Sequence, residues 1–256
     1  MSTPWSGGRY EAVGQRIASI AGQVVDAVGR RRALDGAAVV DLACGTGSAA
    51  LAAVDRGATV TAVDLTAELL EQARAKAADR AITWVTADAA DTGLPSDAFD
   101  AAVSNMGIIF VDPARQVAEL ARLLKPGAAL GFSAWVRSAR NPFHDPIVEV
   151  LGAPPAADFT PDQWGDPEVV HDRLAADFGH VEIVDGRHPW EFASLDAALG
   201  FLTDESPMHV ALFARVDAAA RDRLLAAFTA ALRPHASADG VRFTAPYAVV
   251  TAVRRG

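Results

Sequence analysis

The sequence has one cysteine in 256 residues. A lone thiol, Cys44, excludes an intramolecular disulfide framework and a cysteine-based zinc site, and it fits a reducing compartment such as the cytoplasm. No apolar run reaches the ~20 residues that a membrane-spanning helix needs. The opening residues, Met1 to Gly8, hold neither a charged leader nor an apolar core, so no secretory signal is expected. Clustered basic charge is scarce too. The net charge is −9, and the one basic run, Arg30-Arg31-Arg32, reads as a solvated helix end. Nonspecific nucleic-acid binding needs a basic surface, so neither a nucleic-acid nor a membrane partner is expected. No G-x-x-x-x-G-K-[ST] phosphate loop occurs, and no H-E-x-x-H or acidic cluster at metal spacing, so no metal site is expected.

What is present is a repeating order of short apolar runs and helix patterns. Val13, Ile17, Ile20, Val24, Val25 and Val28 recur at helical spacing and predict a helix over 10–29. Strands are expected at 38–43, 58–63, 82–86, 99–104 and 128–134, with helices at 47–56, from Ala67, and from Pro113 to Leu124. Asp112-Pro113 is a start signal for the last of these, and Lys125-Pro126-Gly127 reads as its stop. Strands alternating with helices imply an α/β fold, doubly wound and Rossmann-like, with a mostly parallel sheet. The pattern breaks after Trp135. Residues 137–178 are rich in Pro, Asp and aromatic residues and read as an irregular or short-helical insertion. A strand near 181–192, helices at 194–204 and 216–232, and a last strand at 245–253 follow.

The most informative segment is Val39-Val40-Asp41-Leu42-Ala43-Cys44-Gly45-Thr46-Gly47. It places a Gly-x-Gly turn at the carboxyl end of a buried strand, where ligands bind in open α/β sheets. Asp64 closes the next strand, seventeen residues after Gly47. Gly45, Gly47 and Ala50 formally meet the dinucleotide fingerprint G-x-G-x-x-G/A. Three features argue against a dinucleotide. Asp41 precedes the turn, where a carboxylate would repel a pyrophosphate but suits a cationic amino group. Asp88 closes the third strand and supplies another acceptor. The helix from Pro113 ends in Leu123-Leu124-Lys125-Pro126-Gly127 directly before a strand.

As a set, Asp41 to Gly47, Val63-Asp64, Ala87-Asp88-Ala89, Phe99-Asp100 and Leu123 to Gly127 resemble the ordered motifs of class I S-adenosylmethionine-dependent methyltransferases. The resemblance is to the small-molecule type similar to ubiquinone/menaquinone-biosynthesis enzymes and covers about residues 9–136. It implies S-adenosyl-L-methionine as cofactor and S-adenosyl-L-homocysteine as product. It also implies a seven-stranded sheet whose last strand is antiparallel. By the same resemblance, Ala43, Gly45 and Gly47 would bring backbone against the methionine moiety, and Asp41 would face its ammonium, directly or through water. Asp64 would accept from the two ribose hydroxyls, and Leu65 would pack on the adenine face. Asp88 would accept from the adenine amino group, and the Ala89 amide would meet a ring nitrogen. Asn105 would contribute backbone near the methionine moiety. Arg9 and Tyr10 would close over the cofactor, Arg9 as a partner for its carboxylate.

The expected plan is a single methyltransferase domain over 1–256. It has a cofactor core at 9–136, substrate-cap insertions at 137–178 and 193–240, and closing strands at 180–192 and 241–254. His144 is the first candidate for a general base, with His209 and Tyr247 behind it. Trp135, Phe143, Trp164, Trp190, Phe201 and Phe213 read either as core packing or as the lining of an apolar substrate pocket. The expected function is methyl transfer to O, N or C of a small, partly apolar molecule, by a cytoplasmic monomer or homodimer. Two other uses of the same site stay open: a cyclisation that exploits the bound sulfonium without methyl transfer, and a non-catalytic adenosyl-ligand-binding module.

Overall fold

The computed structural model describes residues 9–256. The expectation about the leader falls on residues 1–8, outside the described residues. Helix α1 (Tyr10–Arg31) is followed by β1 (Ala38–Leu42), α2 (Ser48–Val54), β2 (Thr59–Asp64), α3 (Ala67–Ala77), β3 (Ile82–Thr86), β4 (Phe99–Asn105), α4 (Pro113–Leu123) and β5 (Leu124–Trp135). Then come α5 (Asp145–Leu151), α6 (Pro167–Leu174), β6 (Phe178–Phe192), α7 (Leu195–Gly200), α8 (Pro207–Phe213), α9 (Ala218–Leu232), the two-residue β7 (Ala236–Ser237) and β8 (Gly240–Arg254). The strands are ordered β3-β2-β1-β4-β5-β8-β6, with β7 paired to β8 outside this path. Strands β1 to β5 are parallel, and β8 runs antiparallel to β5. This is the seven-stranded Rossmann-like α/β sheet expected from the sequence, with β7 as a short addition.

Contacts divide the chain into two compact units. One is Ile17–Arg137, Phe159–Gly186 and Pro246–Gly256. The other is Ser138–Asp158, Arg187–Ala245 and the described residues up to Arg16. The stretch 159–178, expected as part of an insertion, therefore packs with the core strands.

In the first unit, β1 is covered on both faces, which is why Val39, Val40 and Leu42 form a continuous apolar run, all fully buried. Helix α1 lays Ile20, Val24, Val25 and Val28 on the sheet. Gly131 in β5 makes room for it, since a Cβ there would lie 2.3 Å from the Val28 side chain. Helix α2 buries only alanines, Ala49, Ala50 and Ala53, and so approaches the sheet closely. One boundary differs from expectation in a way that matters. Lys125-Pro126-Gly127 is not a loop before β5 but its first turn of chain: α4 ends at Leu123 and the strand begins at Leu124. The pairing to β4 shifts register between Phe99 and Ala101. A proline fits at such an irregularity because no ladder bond is required of its nitrogen.

The second unit is built on rings. Phe143 stands at 4.9–6.0 Å, centroid to centroid, from Phe243, Trp190, Phe201, His209 and Phe192. The Arg16 guanidinium caps Phe192 at 4.5 Å and donates to the Glu191 carbonyl at 2.9 Å. Helix α8, not anticipated from the sequence, carries His209.

Candidate cofactor site at the strand tips

The order β3-β2-β1-β4 reverses direction of growth at β1 and β4, the place where open α/β sheets leave a crevice at their carboxyl ends. Asp41, Asp64 and Asp88 sit at or just past the ends of β1, β2 and β3, so the fold gathers them on one edge.

Asp41 is fully buried on a central strand. Its Oδ2 accepts from the Ala50 amide at 2.8 Å, tying the start of α2 to β1, while Oδ1 has no partner. Burial pushes its carboxyl from 3.8 up to about 8; the Ala50 bond opposes this and the nearby Asp64 adds to it. Burial likewise pushes the Cys44 thiol well up, with the Asp41 and Asp64 charges adding, so Cys44 stays protonated and serves as packing.

The turn after β1 is held left-handed at Ala43, Gly45 and Gly47, with φ of 52°, 55° and 82°. Gly47 has a second reason to be glycine: a Cβ there would lie 2.8 Å from the Trp84 ring. The turn after β4 closes on the same place. Ser104 Oγ donates to the Leu42 carbonyl at 2.7 Å and accepts from the Ile108 amide at 3.1 Å. A Cβ on Gly107 would lie 2.4 Å from the Ala43 carbonyl oxygen. Ser104 and Gly107 were missed from the sequence. The only signal was a glycine two residues past the strand end.

Asp64 is 8% exposed. Its Oδ2 accepts from the Gly45 amide and its Oδ1 from the Thr66 amide, both at 2.8 Å, which couples the tips of β1 and β2. Burial raises its carboxyl, against these bonds. Next to it Leu65 is 59% exposed, a large apolar side chain left in water beside a sequestered carboxylate. Asp88 accepts from the Ala90 amide at 2.9 Å and faces Arg115 at 3.4 Å. The Ala89 carbonyl accepts from Gln116 at 3.1 Å. The Asn105 side chain is spent on structure, donating to the Ile17 carbonyl at 3.3 Å and accepting from Ser133 at 2.8 Å, so only its backbone is left for a ligand.

The remaining candidates lie in the other unit or in packing. Arg9 pairs with Glu205, through its side chain and its amide, and Tyr10 begins α1. His144 is exposed at the N-cap of α5. His209 has both ring nitrogens engaged. Nε2 faces the Phe143 carbonyl at 2.9 Å and must donate, so Nδ1 accepts from Ser206 Oγ at 2.7 Å. Burial lowers its pKa and keeps it neutral. Tyr247 is buried and donates to Gln23 at 2.6 Å. Trp164 is fully buried, edge-on to Phe132 at 5.2 Å, and belongs to the core.

Residues 40–132, which span all three acids and both turns, match the family model described as methyltransferase domain. This part of the chain matches a methyltransferase domain, the class whose ordered motifs the sequence resembles. The match brings S-adenosylmethionine with it as the cofactor of such a domain. An uncharacterised protein of Mycobacterium tuberculosis is 34% identical over 135 residues, 51% of this chain and 48% of its own. A demethylmenaquinone methyltransferase of Clavibacter sepedonicus is 38% identical over 97 residues, 37% of this chain and 40% of its own. The chain thus spans about half the length, or less, of the curated relatives it matches. Among solved structures, the phosphoethanolamine N-methyltransferase 2 of Haemonchus contortus, in complex with S-adenosylhomocysteine, aligns with a TM-score of 0.56. It is 18% identical, covering 91% of this chain and 52% of its own. At that identity the likeness shows the fold of the methyltransferase domain and no more. Among the described residues no helix is long and apolar enough to cross a membrane.

Proposed function

We propose that the chain transfers the sulfonium methyl of S-adenosylmethionine to an O, N or C atom of a small, partly apolar molecule, leaving S-adenosylhomocysteine. The observation that carries this reading is the pair at the tip of β2. A buried carboxylate, held by the Gly45 and Thr66 amides at 2.8 Å, stands beside Leu65, 59% exposed. A nucleoside answers both, with hydroxyls for the acid and a flat ring for the leucine. Asp41 supports the cationic end. Its unpartnered Oδ1 and its carboxyl raised to about 8 describe a buried acid that a nearby positive charge would ionise.

When bound, S-adenosylmethionine would supply an electrophilic sulfonium methyl for the acceptor to take, with the neutral thioether S-adenosylhomocysteine as leaving group. The chain's own work is alignment and exclusion of water. Asp64 and Leu65 would hold the nucleoside, Asp88 and Ala89 the base edge, and Asp41 with the Ala43–Gly47 turn the amino-acid end. An acidic acceptor needs no side-chain base. Where a base is needed, His144 is the candidate, because both ring nitrogens of His209 are already engaged. The reading includes a cytoplasmic location, supported by the single cysteine, and a monomer or homodimer.

A thermal-shift panel tests the cofactor. S-adenosylmethionine and S-adenosylhomocysteine raise the melting temperature and NAD does not; a folded protein indifferent to both adenosyl ligands contradicts the reading. Mass spectrometry of the product then separates the reaction types. A gain of one methyl group is expected, and turnover without that gain favours cyclisation.

A further inference from the structure

The segment after β3 is gripped by one face of α4 at each helical turn. Arg115 faces Asp88 at 3.4 Å, and Gln116 Nε2 donates to the Ala89 carbonyl at 3.1 Å. One turn on, Glu119 Oε1 accepts from the Thr92 amide at 2.9 Å and from its hydroxyl at 2.6 Å. Another turn on, Arg122 donates to the Leu94 carbonyl at 2.7 Å and to Ser96 at 3.1 Å while binding both oxygens of Glu119. The Glu119–Arg122 end is an ion pair that ties Thr92, Leu94 and Ser96 to α4. The Arg115–Gln116 end touches the two residues assigned to the base edge of the cofactor.

Gln116 is the unusual member. It is fully buried, and its Oε1 has no partner. An apolar side chain of similar size would fill the space without stranding a polar atom. What the amide does, and an apolar side chain could not, is hold the Ala89 carbonyl.

We propose that Gln116, with Arg115, positions the Asp88–Ala89 turn and so sets the preference of this site for a 6-aminopurine. Neither is a catalytic residue; both act through the turn. The chemistry follows from the edge being read. A 6-aminopurine offers a donor on its exocyclic nitrogen and an acceptor at the neighbouring ring nitrogen. A 6-oxopurine offers the reverse. The Asp88 carboxylate and the Ala89 amide match only the first, and only while the turn holds both against the ring. This inference rests on the cofactor reading above.

The test titrates the 256-residue chain by calorimetry with S-adenosylhomocysteine and with its 6-oxopurine counterpart, S-inosylhomocysteine. Wild type prefers the amino form. Gln116→Leu reduces the ratio of the two affinities by about tenfold. Arg115→Ala, at an exposed position, reduces it by about threefold. A general weakening of the fold would lower both affinities and leave their ratio intact. An unchanged ratio in a folded Gln116→Leu, or in Arg115→Ala should the first variant fail to fold, overturns the proposal. Wild-type protein that binds neither purine overturns the cofactor reading and this inference with it.

Discussion

In the unit holding β1 to β5, the buried side chains that stand out are acids and amides: Asp41, Asp64, Gln116 and Glu119, each less than 10% exposed. In the unit around Phe143 they are rings, with Trp190, Phe192, Phe201 and Phe243 all similarly buried. Asp41 and Asp64 carry desolvation costs that their backbone partners only partly offset, as their raised carboxyls record, whereas the Arg122 bond holds the Glu119 carboxyl low. Rings gain from burial and from edge-to-face contact, with no such cost. The difference teaches where to look for function. A chain that strands half of a carboxylate at a strand tip gives up stability there, and a ligand can recover it. A ring cluster stabilises the unit whether or not a ligand binds.

Substitutions in the two units should therefore have opposite signatures. The largest effect on folding is expected from Phe143→Ala, which removes the ring shared by five aromatic contacts. It should cost about 2–3 kcal/mol in denaturant melts, while affinity for S-adenosylhomocysteine changes less than about twofold. A parallel loss of affinity would break the division between the units. Asp41→Asn comes next. The amide oxygen still accepts from Ala50, but the ionisable group is gone. The sign follows from linkage: the folded carboxyl titrates at about 8 and the unfolded at 3.8, so this group favours folding least at high pH. Wild-type stability without ligand should fall as pH rises from 4 through 8. Asp41→Asn should flatten that slope and raise the melting temperature at pH 8, while weakening S-adenosylmethionine by about tenfold. A variant less stable than wild type at pH 8 would make Asp41 a plain structural tie. The smallest effect is expected from Leu65→Ala. Folding should be unmoved, because the side chain is already 59% exposed, and adenosyl affinity should fall by about threefold to fivefold.

The sequence exposed the strand-tip unit more fully than the aromatic one, for a physical reason. Asp41, the Gly45–Gly47 turn and Asp64 are local signals: an acid or a glycine at the end of an apolar run states its own position. The order of β1 to β5 followed from the same runs. Gln116 gave no such signal, since its partner Ala89 lies twenty-seven residues earlier and nothing local marks the pair. The start of β5 was misread because Pro126-Gly127 is the usual end of a helix, whereas here the register shift against β4 absorbs it. Helix α8 was missed because Ser206-Pro207, a start signal, came directly after a segment read as one longer helix. The bonds that engage His209 on both sides come from Ser206 and from Phe143, the latter sixty-six residues away.

The central claim is that the carboxylate at the tip of β2 binds the nucleoside of an adenosyl ligand. Calorimetric titration of S-adenosylhomocysteine into wild type and Asp64→Ala tests it most directly, with circular dichroism confirming that both are folded. The account predicts an affinity about a hundredfold weaker in the variant, the loss of two hydrogen bonds to a charged group. Equal affinity in a folded Asp64→Ala would contradict it.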